Sequence, residues 1–395
     1  AGSGNLGRAT KYAALALKSR AALYAASIAQ FGKVQLDGVV GIPAEKAKDF
    51  YQISYDASKE IINSGKFALY NQDADKVTNF KNIFLVKNNS EVIFAKRHDS
   101  SNGLITGGNG WAVDFFQCPR PQGWNRGNLD GPYLELVEEF EHVDGTPGKL
   151  NRAEVENGLW TMDKLWGKKD PRFFATIYTQ ETPWKGNFVD YHNGLLLPDG
   201  TIMTKDSYNG VLCTGDQDLE GTCFGVMKYL DESHDNMAGT ESAWATSSQD
   251  FLLFRYAETL LNLAEAAYEL SKKGEALDTI NQIRERAGIA PLKEISQDKI
   301  RHERKVELAF EGHRYWDVRR WRTATTELSR SFSGLRYILD YSSYTDDEKK
   351  YKLEILDNID GSVSAPLFKE ENYYLPITLS RTSSNPNMVE NPGYK

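Results

Sequence analysis

Residues 298–321, DKIRHERKVELAFEGHRYWDVRRW, crowd carboxylates and guanidiniums among large apolar side chains. At about 100° per residue, Ile300 and Leu308 share a helical side with Arg304, Glu307 and Glu311, so the segment has no clean apolar stripe. Some of its charges must enter the packed interior. Buried ions persist when paired and hydrogen-bonded, and perturbed ionic clusters are also where acid and base catalysts sit. The stretch therefore reads as an active site or as a structural lock. A second polar row favours the lock: on the helix expected over 252–270, Arg255, Glu258, Asn262, Glu265 and Glu269 share one side and offer acids to Arg284, Arg304 or Arg314.

A different chemistry is suggested by tryptophan. Six of the eight, at 111, 124, 160, 166, 184 and 244, fall within 71–250, a stretch rich in Gly, Asn and Asp. An indole stacks on the C–H face of a sugar, whose hydroxyls then need amides, carboxylates and guanidiniums nearby. GWNRGN supplies Trp124, Asn125, Arg126 and Asn128 in one turn; PWKGNFVDYHNG supplies Trp184, Asn187, Asp190, Tyr191 and His192. Trp124 and Trp184 are expected to expose an indole face, with Trp111, Tyr191, Arg126 and Asn125 as further ligand contacts. Trp160 and Trp166 in WTMDKLW have helical spacing and suit a core.

Motifs for covalent, metal or phosphate chemistry are weak. DGTPGKL lacks the spacing of a phosphate loop, and GGNG lacks the strand-to-helix setting of a dinucleotide site. There is no GxSxG and no HExxH, and the six His residues show no ligand spacing. No cofactor and no metal are expected. The alternation Asp216, Asp218, Glu220 departs from the EF-hand pattern and reads as a solvated acidic turn. Cys213 and Cys223 bracket that loop; a disulfide and two reduced thiols are equally compatible with the spacing. A glycosidase carboxylate pair meets in space, so the sequence leaves it open.

The elements that must position these groups are mostly helical. Residues 8–31, dense in Ala, suit close helix approach, and AEKAKDFYQISYDASKEIINSG forms a second helix ending at Gly65. Tyr256, Leu260, Leu263, Ala267 and Leu270 mark the next, and the one after it closes at Gly288. Two such hairpins suggest tetratricopeptide-like units. Between them, EVIFAK from 91 and RFFATIY from 172 read as short strands separated by turns. The chain has 395 residues, 40% apolar and 26% charged, with net charge −8, which suits a globular fold and gives no basic footprint for nucleic acid. No apolar run approaches a membrane span, and residues 1–5 lack the pattern of a signal peptide.

RYAETLLNLAEAAYEL, EALDTINQIRERAGIAPL, IRHERKVELAFEGHRYWDVRRW and YYLPITLSRTSSNPNMVENPGY, in that order, resemble the SusD/RagB family of outer-membrane nutrient-binding lipoproteins. GRATKYAALALKSRAALYAAS, LELVEEFEHVDG and KKDPRFFATIY extend the resemblance over most of 8–394. It implies a mainly α fold with tetratricopeptide-like hairpins and an irregular ligand-binding layer. It further implies capture of oligosaccharide or polysaccharide without catalysis, on the outer face of the outer membrane, beside a SusC-like TonB-dependent transporter. Family members are tethered through an acylated N-terminal Cys; this sequence shows no lipobox Cys and lacks the segment that normally precedes GRAT, so a processed or truncated form is expected. Carried over residue by residue, Arg255, Glu258, Arg304, Glu307, Glu311 and Arg314 become fold-defining ion pairs, and 385–394 an irregular tail.

The expected organisation is one integrated fold: helices over 1–70, an aromatic-rich ligand layer over 71–250, helices over 251–325 and an irregular segment over 326–395. Glycan capture is the preferred function. A tetratricopeptide-type scaffold for peptides or proteins comes second, and a glycoside hydrolase third.

Overall fold

The computed structural model describes residues 7–99, 111–119, 127–203, 221–235, 245–359, 366–385 and 387–394. Trp124, Asn125, Arg126, Cys213, Asp216, Asp218, Glu220 and Trp244 lie outside them.

The principal helices are α1 (Lys11–Phe31), α2 (Ala47–Asn63), α3 (Lys76–Leu85), α4 (Pro171–Thr176), α5 (Tyr256–Glu269), α6 (Lys273–Ala287), α7 (Gln297–Glu307) and α8 (Arg314–Arg320). The principal strands are β1 (Val92–Lys96), β2 (Leu159–Trp160), β3 (His192–Leu196), β4 (Ile202–Met203), β5 (Phe251–Arg255), β6 (Gly334–Asp340) and β7 (Tyr351–Leu356). Among the described residues no helix is long and apolar enough to cross a membrane.

Small residues make the first hairpin close. Thr10 caps α1 by accepting from the Ala13 amide, and Ala13, Ala16, Ser19, Ala22, Ala26 and Ala29 are buried along it. Lys11 pairs with Glu60 at 2.5 Å, Ser19 meets Ser58 at 2.8 Å, and Tyr51 donates to Gln30, so α2 runs antiparallel to α1. Both α1 and α2 pack on α5, which forms the second hairpin with α6. Leu261, Ile280 and Ile283 are fully buried between these helices; each such side chain contributes about 1.5–3 kcal/mol of burial. The two pairs stack as tetratricopeptide-like units. Gly65 (φ 64°) and Gly288 (φ 80°) end α2 and α6 in the left-handed region, as their positions in the sequence suggest.

Three expectations are corrected. The helix expected over 252–270 begins only at Tyr256, because residues 251–255 form β5, paired antiparallel with β1. RFFATIY is a helix followed by two strand residues: Asp170 accepts from the Arg172 amide and Pro171 opens the first turn, a strong local start signal. The segment 298–321 is not one helix. Phe310 (φ 61°) and Gly312 (φ 80°) break it into α7 and α8, conformations no α-helix accommodates.

The segment 326–395 carries regular structure as well. Strands β6 and β7 sit at the centre of a five-stranded sheet, order β2–β7–β6–β3–β4, with β6 parallel to β3 and antiparallel to β7. The sheet unites 159–203 with 334–356 and packs its Tyr337, Tyr351 and Leu335 into a core shared with Trp166, Phe173 and Phe224.

Candidate functional site

Helix α7 carries Glu303, Arg304 and Glu307 into the interior, and the turn after it adds Glu311. Glu307, wholly buried, accepts from Arg172 Nη1 at 2.9 Å and Arg255 Nη1 at 2.7 Å, and also from Arg286. Arg255 is held at the junction of β5 and α5, from where it reaches Glu311 Oε2 at 2.6 Å and Glu91 Oε2 at 3.1 Å. Arg286 bridges back to Glu91 at 2.5 Å. Lys228 Nζ adds a 2.9 Å contact to Glu311. Arg172, fixed by Asp170 at 2.7 Å, also reaches Glu303, which takes a second bond from Arg284.

The break before α8 turns a second set of ions toward α5. Arg304 Nε donates to Asp317 at 2.7 Å and its Nη1 to Asn262 at 2.8 Å; Arg320 joins Asp317 to Glu265, which also accepts from Trp321 Nε1. Glu258 is paired with Arg20 of α1 at 2.5 Å.

Burial alone would raise the pKa of Glu307, but the guanidiniums of Arg286, Arg255 and Arg172 overrule it and hold the carboxylate well below its usual range. Asp317 and Glu311 are lowered against the same desolvation by Arg304 and Arg255 respectively. Burial brings Lys228 down to about 8. Glu303, Arg304, Glu307 and Glu311 are buried and carry fixed partners, so a solute has no route to them. The arrangement ties helices, strands and loops together in one charge-balanced lattice. Arg314 stands apart from it, pairing with Glu327 at 2.9 Å with both side chains about a third exposed.

The network holds members that the sequence reading passed over: Glu91, Arg172, Lys228, Arg286 and Asp317. Two had a visible signal. Glu91 opens EVIFAK and Lys228 interrupts FGVMKYL, each a lone charge at or inside an apolar run.

The aromatic layer differs from expectation in its exposure. Trp184 is 3% exposed and Tyr191 1%, both within the main core, with Tyr191 stacked on Tyr178 at 6.2 Å. Neither presents a free face in this structure. The cause is local: Pro183–Trp184 pairs with Asn187–Phe188 as a two-residue hairpin whose turn residues, Lys185 (φ 51°) and Gly186 (φ 74°), are left-handed. Strand alternation turns Trp184 inward. The ring that emerges is Phe188, 65% exposed, beside an exposed Asn187. The hairpin is docked by Lys185, whose amide donates to Glu232 at 2.5 Å and whose ammonium donates to the His234 carbonyl at 2.6 Å. Asp190 and His192 are engaged with each other at 2.5 Å. Trp111 is half-buried, stacked on His98 at 4.8 Å and edge-on to Tyr229. Its indole N–H is buried without an acceptor among the described residues. Trp166 is in the core, as its spacing suggests. No group of His, Cys, Asp and Glu among the described residues has the form of a metal site.

A model of the SusD family matches residues 90–394. The chain is 26% identical to a SusD-like protein of Bacteroides ovatus across 66% of this chain and 53% of that protein. It is 41% identical to SusD-like protein P2 of Formosa agariphila over a shorter stretch, 19% of this chain and 17% of the relative. The matched regions thus span about half the length of these relatives or less. Among solved structures, a SusD-like protein of Bacteroides fragilis superposes with a TM-score of 0.68 at 23% identity, covering 100% of this chain and 67% of that one. A SusD-like carbohydrate-binding protein of the same species gives 0.65 at 24%, over 98% and 66%.

Proposed function

The chain belongs to the SusD family, and we propose that it captures an oligosaccharide or polysaccharide at the outer face of the outer membrane and passes it, chemically unchanged, to a SusC-like TonB-dependent transporter. The observation that carries this reading is the family match over 90–394. Support comes from the solved relative described as carbohydrate-binding, which shares the fold. Part of the proposal is a lipid tether on the full-length protein, as membership of the family implies.

The 183–188 hairpin is the described element we assign to glycan contact. Phe188 offers an apolar face for sugar C–H groups, and the exposed amide of Asn187 stands beside it for hydroxyls. Trp124, Asn125 and Arg126 remain proposed contacts on the composition of GWNRGN. The buried ion pairs of Arg255, Glu258, Arg304, Glu307 and Glu311 are proposed as scaffold, outside ligand contact.

Affinity electrophoresis against a panel of soluble polysaccharides tests the reading. Retardation by one or a few glycans is expected, weakened about tenfold by Phe188→Ala or Trp124→Ala, with labelled oligosaccharide recovered intact after incubation. Failure of every glycan to retard the protein, or steady release of shortened product, would overturn it.

A further inference from the structure

Arg314, which the sequence assigns to the ionic lock, lines instead a surface cavity of about 350 Å³ bounded by 133–136, 305–315 and 327–332. That volume is near the lower bound for small-ligand sites. The floor is apolar, formed by Leu136, Ala309, Phe310 and Leu328. One wall is a pair of aromatic rings, Tyr133 and Phe332, nearly parallel (13°) with centroids 4.5 Å apart.

Charges of both signs surround this cavity. Lys305 is matched by Glu139 at 2.5 Å, and Glu135 accepts from the Ser333 amide at 3.0 Å. His313 is buried and its imidazole is pushed down by that burial, which keeps it neutral at pH 7. At the other end two guanidiniums, of Arg314 and Arg330, share the single carboxylate of Glu327, at 2.9 and 3.7 Å. The longer separation is beyond hydrogen-bond reach. Arg330 lies over Phe332, 5.3 Å from the ring centroid, with its side chain 44% exposed. Its planar fork therefore keeps donors for a second carboxylate, at the place where the aromatic wall ends.

We propose that this cavity is a second binding site, for a small free aromatic carboxylate. Its ring would lie over the apolar floor against the edges of the Tyr133–Phe332 pair, in the edge-to-face geometry aromatic rings also adopt. Its carboxylate would meet Arg330, with Arg314 adding field from the side. An uncharged sugar gains little from the exposed guanidinium of Arg330 and finds few polar partners on the floor, so this site is distinct in chemistry from the glycan surface proposed at 183–188 and does not depend on it.

Isothermal titration of the full chain with 4-hydroxycinnamate, its methyl ester and an acetylated dipeptide ending in Phe tests the assignment. One site for 4-hydroxycinnamate at sub-millimolar affinity is expected, with the ester at least tenfold weaker, which is what losing a charged hydrogen bond implies. Arg330→Gln should weaken the acid about tenfold without moving the melting temperature, since Arg330 makes no hydrogen bond among the described residues. Leu328→Trp, which fills the floor, should abolish binding. No binding at millimolar acid, equal affinity for acid and ester, or wild-type affinity in both variants would each overturn the proposal. Tighter binding of the dipeptide than of the free acid would overturn the assignment to a small acid in favour of a peptide terminus.

Discussion

Replacing Glu307 by Gln keeps the shape of a carboxylate that accepts from three guanidiniums and removes its charge. Three guanidiniums then lose a shared acceptor, and the new amide N–H₂ faces donors where an oxygen stood. Breaking a buried ion pair by removing one partner costs about 3–5 kcal/mol. The lower part of that range applies, because Arg172 keeps Asp170 and Glu303, Arg255 keeps Glu91 and Glu311, and Arg286 keeps Glu91. The expected loss is about 3–4 kcal/mol, a large part of the ~5–15 kcal/mol by which folded domains are stable. Urea unfolding followed by tryptophan fluorescence measures it as a lower midpoint. A pH series adds a second arm. The folded-state pKa of Glu307 lies well below the ordinary 4.5, so the unfolded chain takes up the proton first as pH falls. The stability contributed by the charge is complete above pH 4.5 and is lost as pH drops through the folded value, so wild type and variant should converge in acid. A loss under about 1 kcal/mol at pH 7, or a gap that stays constant in acid, would refute the network as an electrostatic scaffold. Abolished glycan binding in a stable variant would move this helix into the ligand site.

Arg304→Ala should cost about 3 kcal/mol or more in the same urea assay, because Asp317 then keeps only Arg320 and the Asn262 carbonyl loses its donor. Trp184→Ala should lower stability by about 3–5 kcal/mol through a core cavity, with glycan affinity of the folded fraction unchanged; a fall in affinity at unaltered melting temperature would restore the stacking role its loop position suggests. Lys169→Met should cost about 3 kcal/mol, read from thermal denaturation, since the ammonium donates to the carbonyls of Val137 at 2.9 Å, Phe140 at 2.8 Å and Gly148 at 2.6 Å, and Met leaves all three buried without a donor.

Why the helical scaffold was legible and the site was not follows from how each is encoded. Periodicity over 256–270 and 273–287 survives because every turn repeats the same demand for an apolar side chain, and Gly65 and Gly288 mark ends that only a left-handed residue can make. The helical wheel of 298–321 placed Arg304, Glu307 and Glu311 among apolar neighbours without knowing their partners, since burial of an ion is visible in its own segment. Partners are not. Glu91 meets Arg255 only because β1 pairs with β5, and Arg172 meets Glu307 across more than a hundred residues. The break at Gly312 was written in the sequence, in a glycine inside a helical pattern, but its consequence was not. Turning α8 about that break buries Asp317 and Arg320 against α5 and leaves Arg314 outside, on the cavity wall.

The same limit explains Trp184. Composition put it in a polar, glycine-containing loop, but composition does not show that the loop is a hairpin or which face of a strand is inside, and a shift of one residue exchanges the two. In PWKGNF the glycine and the left-handed Lys185 fix the register so that Trp184 faces the core and Phe188 faces solvent. An aromatic loop in a protein of this kind therefore advertises a ligand surface without naming the ring that makes the contact. The ring is chosen by the turn, which is why Phe188, and not the larger indole four residues before it, is the side chain whose removal should be felt by a glycan and not by the fold.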